Sequence, residues 1–200
     1  MLGGRIRHIE TFTGGKLTGF NANSNVRVGE LTVTAGTISP GLTSGPSDPV
    51  GTIYFDRLTL EAGAVVEFDI AGTDPDEHDR LVVPVTTTVV NPYGDLGLGG
   101  TLVLRFAEGF ENVVLDTDTF TIIEALEAST GSFANVAPGQ RLFTADGRGS
   151  FIVNYGASSA FGANKVVLSQ FQNIPEPAGL AALLGAATAL GARRRRAVDA

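Results

Sequence analysis

The densest set of residues able to do chemistry is Asp74-Pro-Asp-Glu-His-Asp79. Four carboxylates and an imidazole in one short stretch suit a hard cation such as Ca²⁺, which takes six to eight oxygen ligands. Asp74, Asp76 and Asp79 would be its ligands. The stretch lacks the central glycine and the closing bidentate glutamate of an EF-hand loop. A solvated turn, with aspartates accepting from backbone N–H groups, explains the same composition and is preferred. A second pair, Glu67 and Asp69, shares one face if its segment is a strand. Paired carboxylates can cleave glycosides. Simple alternation also puts them on a solvent face, and the chain has no tryptophan to build a sugar platform. The two histidines, His8 and His78, have no Gly-x-Ser-x-Gly elbow to serve. Gly97-Leu-Gly-Gly100 is too short for a phosphate loop and leads into no helix. The expectation is therefore no catalytic residue, no cofactor and no enzyme.

The elements that would position these groups read as β almost throughout. Leu31–Ala35 and Val66–Ile70 alternate apolar with polar, the period of a half-buried strand. Leu81–Val83, Leu102–Phe106, Phe120–Ile123, Phe151–Tyr155 and Lys165–Leu168 are further strands. Turn signals fall between them at Ser39-Pro-Gly41, Glu61-Ala-Gly63, Asn91-Pro-Tyr-Gly94, Gly99-Gly100 and Asp146-Gly147. Glu124–Ser129 reads as an irregular loop. Gly-Thr pairs recur at Gly36, Gly51, Gly72 and Gly100, as corners leading into strands would. The expected fold class is all-β: a right-handed β-solenoid or β-helix-like body, or a β-sandwich, with one short apolar helix at the C-terminus.

An ordered set of short motifs carries a resemblance. Gly36-Thr-Ile-Ser-Pro-Gly41 is followed by Leu58-Thr-Leu-Glu-Ala-Gly-Ala64, Glu67-Phe-Asp-Ile-Ala-Gly72 and Asp79-Arg-Leu-Val-Val83. Gly100-Thr-Leu-Val-Leu104, Gly109-Phe110, Thr119–Ile123 and Gly131-Ser-Phe133 come after them. In this order they resemble the C-terminal part of secreted β-solenoids with autotransporter-associated β-strand repeats, over about two-thirds of the chain. His78 stands where that pattern carries an aromatic residue before the aspartate, and 86–99 is a longer insertion than it expects. The resemblance implies solenoid-like coils over 1–56, truncated at the N-terminus, and a β-rich passenger end domain over 57–172.

The tail, 173–200, has a different character. Ile174-Pro-Glu-Pro177 precedes an uncharged run, 178–192, and then Arg193, Arg194, Arg195 and Arg196. The prolines hold the segment extended up to Glu176, and Pro177 suits a first helical position. As a helix, the run spans roughly 22 Å at 1.5 Å per residue. That is short of a hydrocarbon core of about 30 Å, so spanning leans on arginine side chains reaching past the apolar boundary and on bilayer thinning. The arginines would stay on the cytoplasmic side. The layout resembles the PEP-CTERM sorting signal, with Pro175, Glu176 and Pro177 as the sorting motif. That resemblance implies transient anchoring in the inner membrane of a Gram-negative bacterium. It implies cutting by an exosortase-type membrane protease and release to the surface or extracellular matrix, where polysaccharide is the further partner.

Composition bounds the rest. The 200 residues include 26 Gly and 9 Pro, which suits many short strands and turns. Up to residue 174, 10 basic residues face 19 acidic ones. This argues against a nucleic-acid partner, which needs a basic surface. Without cysteine there is neither a disulfide framework nor a thiolate zinc site. Met1–Glu10 carries Arg5 and Arg7 but leads into no apolar run of signal-peptide length. The expectation is a C-terminal piece of a longer protein, or a start placed too far downstream, with an exported surface protein as the role. A carbohydrate-binding or carbohydrate-cleaving β-helix is the alternative.

Overall fold

The computed structural model describes residues 5–6, 10–19, 26–41, 50–84, 94–107 and 109–174. The protein is all-β, and its strands join in one large sheet. In chain order, β1 (Arg5–Ile6), β2 (Glu10–Phe12) and β3 (Lys16–Thr18) precede β4 (Val26–Ser39) and β5 (Thr52–Ile70). Then come β6 (Arg80–Val83), β7 (Leu96–Leu98) and β8 (Thr101–Phe106). A 3₁₀ turn, Phe110–Asn112, is the one helical element among the described residues. β9 (Phe120–Ala125), β10 (Thr130–Gly131), β11 (Gln140–Phe143), β12 (Gly149–Asn154) and β13 (Lys165–Asn173) complete the order.

β5 shows how the sequence bends the chain. Its buried residues form three runs: Ile53 and Phe55; Leu58 and Leu60; then Ala64, Val66, Phe68 and Ile70. Between the first two, Asp56 and Arg57 are both half-exposed, so the period slips by one. A straight strand would then send Leu58 to the opposite face, and common burial requires a turn there. Glu61, Ala62 and Gly63 are all exposed, and the β4–β5 register slips by one residue at the same place. A side chain at Gly63 would collide with the Thr34 carbonyl oxygen, so glycine admits the close approach.

Because neighbouring segments bend together, the strands stack in parallel in three ladders. Arg27, Tyr54, Val82 and Glu124 share one; Thr11, Thr32, Thr59, Gly97 and Thr130 share the second; Lys16, Thr37, Val65 and Thr101 share the third. Inside each ladder runs an aliphatic row. Ile53, Leu81 and Ile123 form one, Leu31, Leu58 and Leu96 another, and Ile38, Val66 and Leu102 the third; all nine side chains are buried.

The stack ends at β9, which pairs parallel with β6 on one side and antiparallel with β13 on the other. β13, β12 and β11 continue as an antiparallel meander. Its core is aromatic: Phe106, Phe120, Phe151 and Phe171 lie with ring centroids 5.2–5.7 Å apart. Tyr155 packs edge-on to Phe133 and donates its hydroxyl to the Val136 carbonyl at 2.6 Å.

Two expectations need comment. The boundary placed between 56 and 57 falls inside β5, at its first bend, and β4 pairs with β5 in the same register on both sides of it. The expected apolar helix 178–192 lies outside the described residues.

Candidate functional site

Most of the shifted titratable groups gather at one corner, where β5 leaves its last straight segment and the chain loops back into β6. Glu67 and Asp69 project outward there, as alternation requires. Glu67 Oε2 accepts from Lys16 Nζ at 2.9 Å, and Glu67 Oε1 accepts from Arg105 Nη2 at 3.4 Å. Burial opposes its ionisation. The Lys16 hydrogen bond and the Lys16 and Arg105 charges outweigh that and hold Glu67 below the ordinary value. Asp69 stands in register with Arg105. Burial lifts its carboxyl above the ordinary value despite Arg105, with Glu67 adding to the effect.

The aspartate-rich turn separates its aspartates. Asp74 and Asp76 are exposed, whereas Asp79 is buried and points the other way. Asp79 Oδ1 accepts from the Gly51 amide at 2.7 Å, and Oδ2 from the Asp69 amide at 3.0 Å. Among the described residues no group of three or more His, Cys, Asp or Glu is placed to hold a metal ion. The weighed ligands Asp74, Asp76 and Asp79 are therefore not brought together: the third aspartate is held inside by backbone donors. Burial pushes Asp79 up to about 8, against the pull of the Asp69, Gly51 and Gly41 amides.

Sequence reasoning missed that His78 and Asp79 are interior. Asp79 has the parity of the buried Leu81 and Val83, which was the available signal. His78 occupies a place where the resembled pattern has an aromatic residue, and it packs as one. Its ring lies edge-on to Phe120 at 5.6 Å.

Elsewhere, outward charges form compensated rows across neighbouring strands. Glu30, Arg57 and Asp95 make one, at 3.2 and 2.8 Å; Arg80, Glu124 and Lys165 make another, at 3.2 and 3.0 Å. The residues expected to form the sorting signal, Pro175, Glu176, Pro177 and Arg193, Arg194, Arg195 and Arg196, lie outside the described residues, as does His8. No helix among the described residues is long and apolar enough to cross a membrane. The chain matches no family model, no curated protein and no solved structure.

Proposed function

We propose that this is a non-enzymatic exported surface or extracellular-matrix protein, whose body is a β-solenoid closed by an antiparallel end and whose tail is a PEP-CTERM sorting signal. The observation that carries the sorting role is the tail itself: Pro175-Glu-Pro177, an uncharged run over 178–192, then four consecutive arginines. The parallel ladders and their aliphatic rows favour a solenoid over a sandwich, whose sheets pair antiparallel strands. The compensated charge rows leave an outer surface suited to a spacer or adhesive module. An exosortase-type protease would cut near Pro175–Pro177 and release the body to the surface.

The test is expression behind a secretion leader with an epitope after Ala200, in a host with an exosortase-type protease and in the same host lacking it. With the protease, the epitope is lost and the mass of the released body ends near Pro175–Pro177. Without it, or with Pro175→Ala and Pro177→Ala, the tagged chain stays in the inner-membrane fraction. A tagged chain that never enters that fraction in either host would overturn the sorting role.

A carbohydrate-cleaving β-helix is the second reading. What favours it is that Glu67 is held below and Asp69 above its ordinary value, the separation that distinguishes a base from an acid. Release of reducing ends from a matrix polysaccharide, lost in Asp69→Asn, would replace the first reading with this one.

A further inference from the structure

We propose that His78 is a pH-sensitive latch that fastens the turn between β5 and β6 to β9, and that mild acid releases it.

The turn is closed at its neck. The Ala71 amide donates to Glu77 O and the Asp79 amide to Asp69 O, each at 2.9 Å, and Ile70 pairs with His78 in an antiparallel bridge. This neck points the His78 ring inward, where it is 3% exposed. The β6–β9 ladder begins at Leu81 and Ile123. Thr121 lies just before that start, and His78 Nε2 reaches its carbonyl oxygen at 3.3 Å. A carbonyl only accepts, so Nε2 carries the proton and donates. Nδ1 is then a bare acceptor, and it is buried with no hydrogen-bond partner.

A second proton therefore has to enter at the buried Nδ1 of a ring packed edge-on to Phe120. The charged group facing the imidazole is Arg80 of β6, which is paired with Glu124 of β9. Asp69 of β5 projects outward beside Arg105, and the adjacent Asp79 directs both oxygens to the Gly51 and Asp69 amides. No carboxylate is left to stabilise an imidazolium. Burial, with Arg80 adding, holds His78 below its ordinary value. The backbone groups that favour the charged ring besides Thr121 are the Gly72 and Asp74 carbonyls, which belong to the turn. These carbonyls, that of Thr121 on β9 first among them, do not offset burial, so the ring takes its second proton only once the seam with β9 opens to water.

The folded state binds this proton less readily than the unfolded chain. Its contribution is complete above the unfolded value of about 6.5 and is lost as pH falls through it. One proton changes the opening equilibrium by at most about tenfold per pH unit. Asp79, held up to about 8, titrates in the opposite sense, so Asp79→Asn is the background for the test. Hydrogen exchange on that full chain, corrected for intrinsic rates, should show protection at Thr121–Ile123 falling by up to about that factor between pH 6.5 and 5.5. Protection in β11 should not follow. His78→Phe keeps a ring against Phe120 and should abolish the fall. An unchanged pH dependence when His78→Phe is added, or none in Asp79→Asn itself, overturns the latch. If His78→Phe does not fold, the ring-proton resonances of the wild type decide, with His8→Gln assigning them: a His78 midpoint below 6.5 supports the proposal, and one at or above 6.5 overturns it.

Discussion

On the two sides of β9 the chain terminates strands in different ways. In the parallel stack, each strand is satisfied by the next one and each aliphatic row touches only its neighbours, as in repeat architectures. In the antiparallel end, strands fold back on each other and side chains finish what strands cannot. The outer edge of β8 shows the second method. Asn135 Oδ1 accepts from the Leu102 amide at 3.0 Å, and its Nδ2 donates to the Leu102 carbonyl at 2.8 Å. The Ala145 amide donates to Leu104 O at 2.8 Å, and Asp146 Oδ2 accepts from the Phe106 amide at 3.2 Å. An open parallel edge invites pairing with another chain. The end region removes that hazard with single residues rather than another strand.

The sharpest break in this contrast should come from the rings. Phe120 is fully buried and meets His78, Phe110 and Phe151 edge-on. Phe120→Ala should cost about 3–5 kcal/mol in urea unfolding, near the upper end for core truncations. Leu58→Ala, in the middle of an aliphatic row, should cost about 2–3 kcal/mol because adjacent rungs can partly close the gap. Equal losses would mean that the aromatic end is no more than another rung.

Asp79 tests the seam between the regions. Asp79→Ala strips acceptors from two backbone amides, Gly51 and Asp69, and should cost about 2–4 kcal/mol. Its pH signature runs opposite to that of an ion-paired carboxylate. The folded value, about 8, lies above the unfolded one, 3.8, so the folded state holds the proton more tightly. Asp79's contribution is therefore complete below about 3.8 and is lost as pH rises through about 8. Asp79→Asn should remove that decline from midpoint-against-pH curves, whatever its effect at one pH.

How much of this was legible depends on whether a residue's role is local. Alternation marked Leu31–Ala35 and Val66–Ile70 as strands, because a half-buried strand writes its two-residue period into its own sequence. Glu61-Ala-Gly63 also left a signal, but it reads as a turn between strands. In a parallel stack a corner does not reverse the chain, so hydrogen bonding runs through it and β5 continues. Gln140–Phe143 gave no alternation because β11 is an edge strand with both end residues exposed. Asp79 continues the parity of Leu81 and Val83, but the interior position of His78 depends on where Thr121 arrives in space, which no local period records. The tail is the converse case: its three parts are plain in the sequence, and the sorting role proposed for them needs no partner from the body.

Asn135→Ala probes the edge device directly. The side chain is exposed, so its loss should cost only about 1 kcal/mol. The larger consequence is the freed Leu102 amide and carbonyl. Sedimentation should then show self-association of the variant at concentrations where the wild type is monodisperse. If the variant sediments as the wild type does, the edge is protected by its neighbours and not by Asn135.

The smallest expected effect lies on the outer face of the stack. Glu67→Gln breaks the pairs with Lys16 and Arg105, but both cations are well exposed and solvent screens the interaction. The loss should be a few tenths to about 1 kcal/mol, shrinking further in high salt. Lys16 belongs to β3 and Arg105 to β8, so Glu67 ties strands on either side of β5. If this clip holds the stacked strands together, Glu67→Gln should lower protection from exchange in β3 while leaving the β11–β12 hairpin unchanged. A uniform loss across both regions would show that the two sides of β9 unfold as a single unit, and that the parallel stack has no local stability of its own.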